Sequence, residues 1–145
     1  MMKPGFDYVG LGCGALVVNE NHETLLLLRS AKTRGDHGLW NEPGGMVEHG
    51  ELIEDAIRRE VREECGVEVE LKQMLWAKDR INPDGSHWFA VAYLAHIVSG
   101  EPSNAEPEKH ERIAWFPIEA LPGNVSWDLQ NSITAYQNMM SRSHR

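Results

Sequence analysis

Between Gly45 and Val67 the chain reads GMVEHGELIEDAIRREVREECGV. Apolar residues recur in it at intervals of three and four, the spacing of one face of a helix. The spacing predicts a helix from Glu51 to Cys65, with Gly66 as its C-cap. An amphipathic helix of this kind needs a sheet against which its apolar stripe can be buried.

Two glutamates in this helix occupy positions where apolar residues are expected. On a helical wheel of about 100° per residue, the core-facing stripe of Ile53, Ala56 and Ile57 continues through Glu60 and Glu64. A solvated acidic face is the alternative, but buried carboxylates need a compensating partner. All-oxygen ligands favour Mg²⁺ or Mn²⁺ over zinc. The stripe therefore predicts a divalent metal site.

The segment before the helix fits this interpretation. We expect a sharp turn at Gly44 and Gly45, where the absence of side chains would let a backbone carbonyl approach a metal ion or a phosphate. Glu51 falls in the predicted first helical turn, where an acid interacts favourably with the free N–H groups. Its expected role is structural.

Strand patterns on both sides of the helix define the fold class. The turn signal NPDG, Asn82 to Gly85, separates two of them. Strands are predicted over residues 8–19, 24–29, 67–81, 86–99 and 112–118, and a second helix over residues 127–140. We therefore predict one domain over residues 1–145, an α/β sandwich with a mixed sheet.

Composition narrows the class of protein. A chain of 145 residues with 41% hydrophobic and 25% charged residues is typical of a soluble globular domain. The net charge of −8 argues against broad binding to nucleic acid or membrane. No apolar run reaches the roughly 18 residues that span a bilayer, and MMKPGFDYVG has no signal-peptide pattern. We expect a cytoplasmic protein in which Cys13 and Cys65 are reduced core thiols.

The stretch also matches a known motif, the Nudix box, which is G, five residues, E, seven residues and then REUxEExGU with U apolar. The matching residues are Gly45, Glu51, Arg59, Glu60, Val61, Glu63, Glu64, Gly66 and Val67. The chain therefore resembles a Nudix hydrolase. The upstream LLLLR, the W-x-x-PGG that leads into the box and the downstream EPEKHERIAWFPIEALP extend the resemblance over nearly the whole chain. One departure is Glu42, where many relatives carry an apolar residue, and it concerns the lining of the substrate pocket.

This resemblance implies an α/β/α sandwich with a catalytic loop-helix-loop that splits nucleoside diphosphates linked to a further group. It implies Mg²⁺ as the cofactor, with Mn²⁺ as a substitute. Glu60 and Glu64 would be the main metal ligands, Glu63 would bind directly or through water, and the Gly44 carbonyl would complete the shell. The downstream Glu111 is a further candidate ligand.

The resemblance also implies catalytic roles. Arg59 would orient Glu60 and tie the helix to the preceding loop. The proton of the attacking water would pass to Glu60 or Glu64, or to a loop acid such as Glu108 or Glu111. Gly45, Glu51 and Gly66 are structural members of the motif.

Substrate-binding candidates lie outside the box. Arg29, at the end of a buried strand, is expected to bind phosphate, while Lys32 and Arg34 either bind phosphate or are merely solvated. Trp127, at the start of the last helix, is the preferred residue to stack on a base, with core packing as its alternative. Further aromatic candidates are Trp40, Trp88 and Phe89.

The downstream stretch is most similar to relatives that hydrolyse nucleoside triphosphates, including those that remove oxidised guanine nucleotides. A pyrophosphatase for ADP-ribose or nucleotide sugars is the alternative, because such relatives often carry a proline where Pro83 falls. Here the hairpin turn already explains that proline. A nucleotide-binding regulator without turnover is less favoured, since all the box glutamates are present. The sequence leaves a homodimer open.

Overall fold

The computed structural model describes residues 1–33 and 35–143, so the phosphate-binding candidate Arg34 lies outside the described residues. The helices and strands, in chain order, are β1 (Gly10–Val17), β2 (Glu23–Arg29), β3 (Trp40–Asn41), β4 (Gly44–Met46), α1 (Ile53–Cys65), β5 (Glu68–Ile81), β6 (His87–Ser99), β7 (His110–Pro117) and α2 (Trp127–Ser143).

The strands form two sheets. One has four strands in the order β4-β1-β6-β5, and the other has three in the order β3-β2-β7. Strands β1 and β6 run parallel, with Gly10 beside Trp88 and Val17 beside Ala95. The other pairings are antiparallel. The predicted mixed sheet is therefore confirmed.

Alternate residues of the strands face the two helices, because successive side chains on a strand point to opposite faces. On β1, Ala15 packs in a buried cluster with Ile57 and Val61 of α1. The next residue, Leu16, packs in a second cluster with Leu129 of α2. Strand β2 divides its leucines between the two clusters in the same way. The sheets thus form a middle layer with a helix on each face, an α/β/α sandwich.

Helix α1 begins later than the sequence predicts. The backbone before Ile53 is not helical, since Gly50 has φ 84° and Leu52 is extended with ψ 145°. Glu51 therefore precedes the helix and does not lie in its first turn. The C-cap prediction is confirmed: Gly66 has φ 71°, and its N–H donates to the Arg62 carbonyl at 2.9 Å.

The predicted sharp turn at Gly44 and Gly45 is wrong. Both residues lie in strand β4 and pair with β1, Gly44 opposite Gly14 and Gly45 opposite Cys13. A Cβ atom on Gly44 would lie 2.3 Å from the Cys13 carbonyl oxygen. Glycine is needed here for close approach of the backbones and not for a left-handed conformation.

Two expectations from composition concern the thiols and the membrane. Cys13 and Cys65 are free and buried, as predicted. Burial raises the pKa of Cys13 to about 12, so its thiol stays protonated. Within the described part of the chain, no helix is both long and apolar enough to cross a membrane.

Candidate active site

Glu64 lies at the centre of the candidate site, where α1 meets β4. Its side chain is buried, as the helical stripe predicts. Oε1 accepts a hydrogen bond of 2.7 Å from the Gly44 N–H, and Oε2 lies 3.3 Å from His110 Nε2. The carboxylate is thus held between two segments that are distant in sequence from its own helix.

Glu60, one helical turn earlier, lies against the backbone of Gly45. A Cβ atom on Gly45 would lie 2.4 Å from Glu60 Cδ, so this glycine leaves the space that the carboxyl group occupies. The pKa of Glu60 is raised to about 7, chiefly by burial and then by the charge of Glu64, while Arg59 opposes the shift. The single guanidinium of Arg59 does not neutralise the combined negative charge of Glu60, Glu63 and Glu64.

Arg59 connects the helix to the preceding loop. Its Nε and Nη2 donate to the two oxygens of Glu51 at 2.7 and 3.0 Å, and Nη2 also donates to the Met46 carbonyl at 3.0 Å. Its Nη1 donates to Glu60 at 3.0 Å and to Glu63 at 3.2 Å. The hydrogen bonds from Arg59 lower the pKa of Glu51. Glu51 therefore anchors the arginine and does not cap the helix.

The start of β7 brings further groups to Glu64. Ligand atoms of Glu64, Glu106 and His110 lie within 4.8 Å of one another. His110 is fully buried, whereas the next residue, Glu111, is exposed, because adjacent strand residues point to opposite faces. The side chain that contacts Glu64 from β7 is thus His110 and not the predicted Glu111.

A cavity of about 480 Å³ opens beside Gly44 and Gly45. The indoles of Trp76 and Trp88 form part of its wall, and the predicted phosphate-binding residue Arg29 also lines it. Its volume is in the range that encloses a small organic ligand. The strand that carries the glycines of the site therefore also forms part of a ligand-sized cavity.

The cavity is lined by charges of both signs. Arg29 and Arg80 are basic, whereas Asp36, Glu42 and Asp128 are acidic. Arg80 Nη2 lies 3.9 Å from Asp36 Oδ1. Burial raises the pKa of Asp128 even though Arg80 lowers it. Among the described residues of the wall, Arg29 and Arg80 are the cationic groups that an anionic substrate could contact.

Two of the tryptophans predicted to hold the base, Trp40 and Trp127, lie outside the cavity wall, whereas a third, Trp88, lines it. Trp40 is buried in the second hydrophobic cluster, with its ring centroid 4.8 Å from that of Phe116 in an edge contact. Trp127 packs edge-on against Trp76 at 5.6 Å, and the Arg80 guanidinium lies 5.1 Å from its ring centroid. Both rings therefore make packing contacts with other side chains. Trp76, which was not among the predicted residues, lines the cavity.

The residues at this site fit a hard divalent cation. Glu60, Glu63 and Glu64 supply carboxylate oxygens, and the neighbouring β4 backbone supplies carbonyl oxygens, the ligand types of Mg²⁺ and Mn²⁺. The raised pKa of Glu60 marks the unbalanced negative charge that such an ion would neutralise. The absent Cβ of Gly45 leaves the space beside Glu60 open.

Comparison with known proteins decides the family. Residues 10–136 match the family model of the NUDIX domain. The chain belongs to the Nudix family. A crystal structure of a MutT NUDIX hydrolase from Burkholderia pseudomallei is similar over 87% of this chain and 96% of that one, with a TM-score of 0.80 and 37% identity. The Nudix α/β/α sandwich is thereby confirmed.

Two curated Nudix relatives differ in what they act on. The 8-oxo-dGDP phosphatase NUDT18 of Homo sapiens is 34% identical over 74% of this chain and 32% of its own length. The ADP-ribose pyrophosphatase of Methanocaldococcus jannaschii is 27% identical over 83% of this chain and 69% of its own length. The chain spans about a third of the human relative.

Several residues of the site carry no local signal in the sequence. Glu106 and His110 lie in a polar stretch of sequence with many charged neighbours, and Arg80 and Asp128 are charged residues without a distinctive motif around them. The pairing of Trp76 with Ala92 places one indole beside β6, within the cavity wall. The sequence does single out Glu42, because many relatives carry an apolar residue at this position of the WNEPGG segment.

Proposed function

We propose that this Nudix domain hydrolyses a pyrophosphate bond in a nucleoside diphosphate linked to a further group, with Mg²⁺ or Mn²⁺ as cofactor. Its preferred substrates would be nucleoside triphosphates, cleaved to a monophosphate and pyrophosphate. The observation that carries this proposal is the meeting of Glu60 and Glu64 with Gly44 and Gly45 beside a ligand-sized cavity.

The metal would be held by Glu60 and Glu64, by Glu63 directly or through water, and by the Gly44 carbonyl. When bound, it would neutralise charge on the phosphate oxygens and make a water molecule nucleophilic. Arg59 holds Glu60 and Glu63 in place through Nη1. The protein's own contribution is thus to hold three carboxylates close together, against their mutual repulsion.

A proton must leave the attacking water, and the acids of the site would accept it. Glu60 and Glu64 are the candidates in the helix. Glu108 in the loop and Glu111 on β7 are the alternatives, although both are exposed and Glu111 points to the opposite face of its strand from His110. Arg29 would bind phosphate oxygens from its place in the cavity wall. Arg80, which lines the same cavity, is a second candidate for this role.

Triphosphates are preferred because the downstream EPEKHERIAWFPIEALP is most similar to relatives that hydrolyse them. The human relative is named for an oxidised guanine diphosphate, which supports testing oxidised guanine nucleotides but not the triphosphate itself. ADP-ribose is the second candidate, favoured by the archaeal relative. Pro83 gives it little support, because this residue lies in the turn between β5 and β6, where Gly85 N–H donates to the Asn82 carbonyl at 2.9 Å.

The test is a hydrolysis screen with Mg²⁺ over nucleoside triphosphates, oxidised guanine nucleotides, ADP-ribose and nucleotide sugars. Glu60→Gln protein prepared in parallel serves as the control for contaminating phosphatases. We expect a higher kcat/KM for at least one triphosphate than for ADP-ribose. A kcat/KM for ADP-ribose about ten-fold above every triphosphate, a difference of about 1.4 kcal/mol, would establish the alternative. If the protein hydrolyses none of these compounds, the remaining alternative is a nucleotide-binding regulator without turnover.

A further inference from the structure

Glu42 is a buried carboxyl group in the wall of the cavity. The residue is only 5% exposed, and its Oε1 has no hydrogen-bond partner within the part of the chain that the structure describes. Its Oε2 lies 3.0 Å from the place where a Cβ atom on Gly14 would be. The glycine on β1 thus makes room for this side chain beside the cavity.

The surroundings of Glu42 do not compensate its burial. Ser132 donates a hydrogen bond to the carboxyl group, but Asp128, a second acid, lines the same cavity. The Ser132 hydroxyl also accepts a hydrogen bond of 2.8 Å from Trp76 Nε1. An apolar side chain, which many relatives carry at this position, would be buried here at a lower cost in free energy. A buried polar side chain in the cavity wall therefore indicates that a ligand supplies its missing hydrogen bond.

The chemistry of a carboxyl group defines the ligand group that it would bind. A carboxyl group retains an acceptor oxygen whether or not it is protonated, so its natural partner is an N–H or O–H donor. The nearby Asp128 makes this part of the cavity unfavourable for phosphate oxygens. The indoles of Trp76 and Trp88 in the same wall favour a flat, stackable group. A nucleobase with an exocyclic amino group combines a flat ring with an N–H donor.

We propose that Glu42 is a specificity-determining residue that accepts a hydrogen bond from the exocyclic amino group of the substrate's nucleobase. The inference rests on the proposed nucleotide hydrolysis and narrows it to aminated bases. A base that has a carbonyl or a hydrogen at the same place would leave the Glu42 oxygen unpaired. Sites built on such hydrogen bonds reject the analogue that lacks the donor.

The test compares nucleotides that differ at the amino group, namely dGTP with dITP and dCTP with dUTP. We expect wild-type protein to prefer the aminated member of at least one pair by about ten-fold or more in kcat/KM, the scale of leaving a buried polar group without its hydrogen bond. Glu42→Met, which keeps the length of the side chain, should abolish the preference. Glu42→Gln, which keeps an acceptor oxygen, should retain most of it.

Thr24→Val is a matched control. Thr24 is also fully buried with an unpartnered side-chain oxygen, but it lies on β2 opposite Phe116 and outside the cavity wall. Both Glu42→Met and Thr24→Val remove a buried, unpaired polar group, so both should raise the Tm. Only the Glu42 variant should change the choice between bases, which separates recognition from stability.

Binding of the monophosphates dGMP, dIMP, dCMP and dUMP to protein in EDTA, followed by calorimetry, makes the inference independent of turnover. A protein that hydrolyses no nucleotide but prefers the aminated monophosphate contradicts the proposed function and supports the role of Glu42. Equal binding within both pairs by wild-type protein, or an unchanged preference in Glu42→Met, overturns the inference and leaves the proposed hydrolysis untouched.

Discussion

The Gly44 N–H donates a hydrogen bond of 2.7 Å to Glu64 Oε1 and so joins strand β4 to helix α1 at the candidate metal site. The bond orients a carboxylate that is almost fully buried. Because backbone positions in a paired strand are rigid, the bond fixes one carboxylate relative to the sheet. Glu60, by contrast, is positioned by the close approach of Gly45.

Removing either carboxylate should remove most of the activity. We expect Glu60→Gln and Glu64→Gln each to lower kcat on the order of a hundred-fold, the scale of losing one strong electrostatic contact in a transition state. Far-UV circular dichroism should show an unchanged fold. Glu63→Gln is the comparison variant, and it should lower kcat less because the Glu63 side chain is half-exposed. Wild-type turnover by either of the first two variants at saturating Mg²⁺ would contradict their assigned roles.

A single methyl group should displace Glu60. In Gly45→Ala the new Cβ would lie 2.4–2.6 Å from the carboxyl atoms of Glu60, so the side chain has to move. We expect the affinity for Mn²⁺, measured by electron paramagnetic resonance, to fall by about ten-fold or more. Gly123→Ala, where no atom lies within 4 Å of the new Cβ, is the control and should bind as wild type does. Equal affinities in the two variants would mean that Gly45 does not shape the site.

Glu51→Gln should affect stability more than chemistry. The substitution weakens two hydrogen bonds to Arg59 and leaves the three carboxylates of the helix in place. We expect a Tm lower by a few degrees and a kcat that falls less than in Glu60→Gln. Differential scanning fluorimetry and steady-state kinetics on the same preparations measure both. A larger loss of kcat than in Glu60→Gln would reverse the order of importance.

The metal-free protein should lose stability as the pH rises. Folding raises the pKa of Glu60 from 4.5 to about 7, so the folded state binds this proton more tightly than the unfolded state. The stabilisation is complete below the unfolded pKa and is lost as the pH rises through the folded pKa. It amounts to about 1–3 kcal/mol after allowance for solvent screening.

Urea unfolding in EDTA at several pH values between 4.5 and 8 measures this effect, since 4.5 is the ordinary pKa of the group. We expect the contribution of Glu60 to appear as the difference between wild-type protein and Glu60→Gln, which cannot titrate at this position. Parallel curves for the two proteins across the whole range would show that Glu60 keeps an ordinary pKa.

Trp127→Ala should act on packing and not on the choice of substrate. Trp127 packs against Trp76 and under Arg80, so its loss should cost about 3 kcal/mol of stability. We expect kcat/KM for a nucleoside triphosphate and for inorganic tripolyphosphate, which has no base, to fall alike. A loss of about ten-fold confined to the nucleotide would restore the base-stacking role that the sequence suggests. Trp88→Ala, at a residue in the cavity wall, is expected to show that selective loss.

Local patterns allowed much of the fold to be predicted. Helix α1 and its Gly66 cap, the strands on either side of it and the turn at residues 82–86 depend on spacing and turn chemistry within a few residues. The burial of Glu64 also follows from helical periodicity alone. The Nudix box contains the helix, its Gly66 cap and Glu64, which is why the family could be recognised from one stretch of the chain.

The features of the fold and the site that local patterns did not predict depend on contacts between residues that are distant in the sequence. Gly44 and Gly45 lie in a strand because they pair with residues of β1 that are far upstream in the chain, Gly44 with Gly14 and Gly45 with Cys13. The contact between His110 and Glu64, and the burial of Glu42 beside Gly14, also join residues from separate elements.

Periodicity is a property of neighbouring residues, so it was enough to predict the central helix and the carboxylates on its buried face. The partners of those carboxylates and the lining of the cavity follow instead from contacts between distant segments. Trp40 and Trp127 pack against Phe116 and Trp76, whereas strand pairing and the docking of α2 bring Trp76, Arg80 and Glu42 to the cavity. Such convergence depends on the path of the whole chain, and no local pattern encodes it.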